Sequence, residues 1–86
     1  MFITNEEELQ QWRRAVRLIV WATRLDADMS QQELANRLHV TRNAVANWES
    51  GRRAIQAGEL LLIAKALRCS PETLFKRILT WTTEAC

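Results

Sequence analysis

The sequence predicts an all-α fold, a compact bundle of about five helices in a chain of 86 residues. Three observations carry this prediction. Thr4, Ser30, Thr41 and Ser70 each stand just ahead of a run with apolar residues three and four apart, where a hydroxyl can accept from a free N–H of a first helical turn. No segment alternates apolar and polar residues with the period of a strand. Two glycines and one proline leave little material for hairpins. No linker or low-complexity stretch divides the chain, so residues 1–86 read as a single domain with its core over 12–75, a helical extension before it and a further helix after it.

Each element follows from its own residues. Thr4 with Glu7 makes a capping-box pattern, and the first helix is expected over 5–27, with Glu6, Glu7 and Glu8 at its positive end. Leu9, Trp12, Val16 and Val20 form its core stripe, and Leu18, Trp21 and Leu25 a second apolar stripe. Ser30 with Glu33 repeats the capping box and starts a helix over 31–38, with Leu34, Ala35 and Leu38 on one face. Thr41 caps a third helix that runs through Trp48 or Glu49. Its inner face is Val45 and Trp48, and Gly51 is placed to end it in a left-handed turn. A fourth helix over 57–67 turns Leu60, Ile63, Ala64 and Leu67 inward. Ser70 caps a fifth, with Pro71 at its first position, where a missing N–H costs nothing.

The second and third helices are separated by a very short turn, the layout of a helix-turn-helix unit that places its second helix in the major groove of DNA. The outer face of that helix carries Arg42, Asn43, Ala46 and Asn47. Arginine pairs bidentately with guanine, asparagine with adenine, and alanine leaves room for a thymine methyl. The alternative is a merely solvated polar face, which would more commonly carry Glu and Lys. Net charge is only +2, yet residues 37–53 hold four arginines and one carboxylate, Glu49. That local excess is the footprint of a phosphate-binding surface. Arg24 continues the stripe of Val16 and Val20, so it either finds a carboxylate partner or snorkels past the helix end to water.

Taken together, Ser30-Gln31, Glu33-Leu34-Ala35, Val40-Thr41, Val45, Trp48-Glu49 and Gly51, followed by a basic loop and then Leu60, Ile63-Ala64 and Ala66-Leu67, resemble the phage Cro/repressor type of helix-turn-helix domain, lambda-repressor-like in fold. The resemblance covers 12–75. It implies base-reading roles for Arg42, Asn43, Asn47 and the neighbouring Ala46. It implies DNA-backbone contacts from Ser30, Gln31, Thr41, Ser50, Arg52 and Arg53. It also implies a buried salt bridge between Arg24 and Glu49. The chain departs from the family at the turn, where His39 stands in place of the usual glycine. Histidine is among the few residues that tolerate positive φ, so the turn remains feasible and His39 reads as a turn residue.

Other classes are excluded or unsupported. No apolar run is long enough to span a membrane, and the first residues lack the basic-then-apolar layout of a signal peptide, so a cytoplasmic protein is expected. Cys69 and Cys86 make neither a disulfide framework nor a metal site. Cys69 reads as a small buried hydrophobe and Cys86 as a terminal thiol. No cofactor is expected. One turn histidine and no paired carboxylates give no basis for an enzyme.

Leu61, Leu62, Phe75, Leu79 and Trp81 add more apolar surface than such a domain readily hides, and exposed patches mark interfaces. A homodimer through the fourth and fifth helices is therefore expected, against the alternative that the last helix folds back on its own domain. A dimer would place two recognition helices roughly 34 Å apart in successive major grooves on a palindromic operator. The functional expectation is a small repressor of phage or prophage type. Alternatives are the antitoxin of a toxin–antitoxin pair, an activator touching polymerase, and a protein-interaction module on the same fold.

Overall fold

The computed structural model describes residues 5–85. The helices are α1 (Glu6–Asp26), α2 (Gln31–Leu38), α3 (Arg42–Ser50), α4 (Ala57–Ala66) and α5 (Pro71–Ala85). Thr4, expected to cap α1, and Cys86 lie outside the described residues. The cap of α1 is Asn5, one residue later than expected, whose Oδ1 accepts from the Glu8 N–H at 2.7 Å. Ser30, Thr41 and Ser70 cap as their positions require, accepting from Glu33, Ala44 and Thr73 N–H groups at 3.0, 3.1 and 3.1 Å. The start of α4 carries a signal that sequence reading passed over: the Gln56 N–H donates to the Glu59 carboxylate at 3.0 Å.

Three helices end in the same way without glycine. Asp28, His39 and Arg68 have φ of 54°, 56° and 58°. In each case the following N–H reaches back five residues, from Met29 to the Arg24 carbonyl, Val40 to Ala35 and Cys69 to Ala64, at 3.2, 3.0 and 2.9 Å. This is the Schellman closure, and it satisfies carbonyls that the helix end leaves open. A left-handed L-residue costs about 1–2 kcal/mol, a cost that glycine avoids at the expense of about 0.4–1 kcal/mol of unfolded-chain entropy.

The core unites all five helices. Ala15, Ile19 and Val20 of α1 meet Leu34 and Ala35 of α2, Val45 and Trp48 of α3, Leu60, Ile63 and Ala64 of α4, and Leu74 and Ile78 of α5. The expected stripe on α1 is thus rotated. Val20 is fully buried, Trp12 and Val16 only flank the core, and Ala15 and Ile19 fill it. Cys69, expected to be buried, is half-buried against the core.

α5 packs on α1 and α4. The Arg77 guanidinium fastens it, donating to Thr23 Oγ1 at 2.6 Å and to Asp26 Oδ2 at 3.1 Å. One face of α5 therefore does fold back on its own domain. Trp81, expected at an intermolecular interface, is instead half-buried against that core. Among the described residues no helix is long and apolar enough to cross a membrane.

A buried ion pair ties α1 to α3. Arg24 Nε lies 2.7 Å from Glu49 Oε2, with the two side chains 8% and 5% exposed. The pair is nearly saturated: Arg24 also donates to Glu49 Oε1 at 3.0 Å and to the Met29 carbonyl at 2.7 Å, and Gln31 Nε2 donates to Glu49 Oε1 at 3.0 Å.

Two outcomes are expected in urea denaturation. Glu49→Ala strands a buried guanidinium and should cost about 3–5 kcal/mol, whereas Arg24→Met combined with Glu49→Leu should recover most of that loss. His39→Gly should stabilise the domain by about 0.5–1 kcal/mol, the difference between left-handed strain and added chain entropy. Unchanged or lowered stability would show that the turn is not strained.

Candidate nucleic-acid interface

α3 has nine residues, too short to be stable alone, so its surroundings hold it in place. Val45 and Trp48 anchor its inner side. Near its end the carboxylate of Glu49 is fixed by Arg24 and Gln31. The Arg17 guanidinium donates to the Glu49 backbone carbonyl at 3.3 Å, putting a cation at the negative end of the helix. Gly51 closes the helix at φ 85°, a left-handed conformation that favours glycine, and the flexible Arg17 side chain packs close by, its Nε 2.9 Å from where a Cβ would stand. Sequence reading missed Arg17. Its signal was the spacing: it lies seven residues before Arg24, on the same face of α1.

The other side of α3 faces outward. Arg42 and Asn43 are exposed, and Ala46 and Asn47 are half-buried. Among the described residues the side chains of Arg42, Asn43 and Asn47 make no hydrogen bond or ion pair, so their donors and acceptors are available to a ligand. The backbone of this face is held from behind by those contacts and its side chains are uncommitted, the combination that reading base edges requires.

The residues assigned to the DNA backbone divide into two groups. Ser30 and Thr41 are exposed caps at the positive ends of α2 and α3, where backbone N–H groups attract anions. Ser50 is exposed; its Oγ donates to the Asn47 carbonyl at 3.3 Å and accepts from the Arg52 N–H at 3.4 Å, leaving the Arg52 side chain free among the described residues. Gln31 and Arg53 are already engaged. Gln31 turns its amide inward to Glu49. Arg53 pairs with Glu59 at 2.9 Å and lies 5.8 Å above the Trp48 ring, bracing the loop against α4. The apolar residues assigned to an interface lie on the far side of the sequence, on α4 and α5: Leu61, Leu62, Phe75 and Leu79 are exposed, Leu62 to 61%.

No curated protein sequence matches the chain. Solved structures share its fold. The wild-type restriction-modification controller protein C.Esp1396I is 24% identical, with 81% of this chain and 91% of that chain covered at a TM-score of 0.75. The clp gene regulator ClgR from Corynebacterium glutamicum is 20% identical, covering 86% of this chain and 79% of its own at a TM-score of 0.78. An XRE-family like protein from Pseudomonas syringae pv. tomato str. DC3000 is 21% identical over 87% and 90% of the two chains, at a TM-score of 0.77. The family model described as helix-turn-helix matches residues 22–74, which hold the Arg24–Glu49 pair, both motif helices and the outward face of α3. The chain belongs to the helix-turn-helix family, of the Cro/repressor type.

Proposed function

We propose that this DNA-binding helix-turn-helix regulator represses transcription by occupying a palindromic operator as a homodimer, in the manner of a phage or prophage repressor. The observation that carries the reading is the outer face of α3, where Arg42, Asn43 and Asn47 stand unpartnered on a helix held from behind by a buried ion pair. Arg42, Asn43 and Asn47 discriminate bases, with Ala46 allowing close approach. Each good bidentate pair is worth about 1–3 kcal/mol of discrimination. Ser30, Thr41, Ser50 and Arg52 set the register on phosphates, which carry no sequence information themselves.

Gln31 and Arg53 support that register indirectly, by holding Glu49 and the loop after α3. Repression by occupancy needs no further effector, because a protein sitting on a promoter excludes polymerase.

The second copy docks on the exposed faces of α4 and α5. Leu61, Leu62, Phe75 and Leu79 are between 44% and 61% exposed there, a concentration of large apolar side chains that favours an interface. The same face supports a second reading, in which the chain is an antitoxin and a toxin covers that surface.

Three outcomes are expected. Asn47→Ala should broaden the set of sequences recovered by selection from random duplexes while leaving non-specific affinity nearly unchanged; an unaltered preferred sequence would remove Asn47 from base reading. Arg52→Ala should weaken binding to every duplex and lower the slope of log K against log salt by ~0.9, one phosphate's worth. In sedimentation, the wild-type chain should be dimeric at micromolar concentration and Phe75→Glu monomeric, with palindrome affinity falling to that of a single half-site. A wild-type monomer both with and without DNA would refute the dimer.

A further inference from the structure

The loop after α3, with Ser50 and Arg52, faces a second group of arginines, on α1, to which the reading so far gives no ligand. The first half of α1 runs past the end of α3 and encloses a cavity of about 450 Å³, bounded on one side by Gln10, Arg13, Arg14 and Arg17 and on the other by residues 50–55. Five arginines line it, Arg13, Arg14, Arg17, Arg52 and Arg53, and no carboxylate residue does. Arg17 is spent on the Glu49 carbonyl and Arg53 on Glu59. Arg13, Arg14 and Arg52 make no ion pair or side-chain hydrogen bond among the described residues.

The spacing on α1 sharpens the point. Arg13 and Arg17 stand four apart, and Arg14 and Arg17 three apart, so these like charges are neighbours on one helix surface. None of the three has a carboxylate at three or four residues in either direction, although Glu6, Glu7 and Glu8 lie just upstream. Such an arrangement is electrostatically unfavourable until an anion joins it. The location is equally specific. Ser50 borders the cavity and also continues the outward line of Asn43 and Asn47, so the cavity opens beside the base-reading face.

We propose that Arg13, Arg14 and Arg52 hold backbone phosphates of the DNA flanking the bases that α3 reads, with Arg17 fixing the wall between the two surfaces. This rests on the DNA-binding reading and extends its footprint outward along the duplex. Guanidinium forks suit phosphate oxygens, and the contacts add affinity and register without adding sequence preference.

The test uses the full chain with Arg13→Gln and Arg14→Gln combined, leaving the structural Arg17 in place. Affinity is measured against salt on two duplexes bearing the selected sequence, one with long flanks and one trimmed to the bases under α3. On the long duplex the variant should lose ~1.8 from the salt slope, two phosphates' worth. On the trimmed duplex wild type and variant should coincide, and the preferred sequence should be the same for both proteins. Equal slopes for the two proteins on the long duplex would overturn the proposal while leaving DNA binding intact. Failure of the wild type to bind any duplex at low salt would overturn the DNA-binding reading and this proposal with it. Titration with inorganic triphosphate alone distinguishes the remaining source of the same chemistry. Saturable one-to-one binding that the variant loses, with no change in the DNA slope, would assign the cavity to a free polyphosphate and likewise overturn the flanking-phosphate assignment.

Discussion

The buried carboxylate of Glu49 is the constraint on which the arrangement of the first three helices depends. Removing two opposite charges from water costs several kcal/mol per ion, so such a pair survives only where its geometry and hydrogen bonding are complete. Here both carboxylate oxygens accept from Arg24, one accepts also from Gln31, and the remaining arm of Arg24 reaches the Met29 carbonyl at the turn into α2. One group therefore fixes the end of α1, the start of α2 and the last turn of α3 at once. An apolar contact of similar area would tolerate sliding and rotation. A bidentate fork with a third donor does not, because any displacement leaves a buried charge unpaired. A nine-residue helix gains a defined orientation this way without using any residue of its outer face.

The economy of the inner face is matched at the turns. α1 to α2, α2 to α3 and α4 to α5 are each joined across a left-handed residue that is not glycine. For a domain of this size, total stability of about 5–15 kcal/mol leaves little room for three strained residues unless the strain is offset. It is offset twice. A residue with a side chain has less unfolded entropy to lose than glycine, and each turn closes a backbone hydrogen bond that would otherwise be missing. At the end of α3 the left-handed position, at φ 85°, is taken by Gly51 instead, with the Arg17 side chain packed close to it.

The legible parts of the fold are those set by local chemistry. Caps at Ser30, Thr41 and Ser70, the stop at Gly51 and the left-handed turn at His39 depend on residues within a few positions of each other, and a single sequence displays them. Arg24 was conspicuous because a charge on an apolar stripe demands a partner. What stayed hidden involves two elements at once. Arg17 looks like any surface arginine until the end of α3 is laid beside it. Gln31 and Arg53 read as free polar groups, yet each is claimed by a neighbour far along the chain or on the next helix. The rotation of the α1 stripe has the same origin, since which of two adjacent apolar faces is buried depends on α3 and α5, the helices packed against α1.

α5 shows why that choice is not written in periodicity. Leu74 and Ile78 form one stripe, Phe75 and Leu79 another, offset by a single residue and thus by about 100° around the axis. Periodicity alone gives the two stripes equal claim to the core. The packing of α5 on α1 and α4 separates them, and in that arrangement the Arg77 guanidinium meets Thr23 and Asp26 at the end of α1. Leu74 and Ile78 lie in the core, and Phe75 and Leu79 face solvent. Burial of Leu74 and Ile78 stabilises the domain, the partly exposed Arg77 tie adds modestly to it, and Phe75 and Leu79 remain outside. The helix has two apolar faces, and folding of this chain uses one of them.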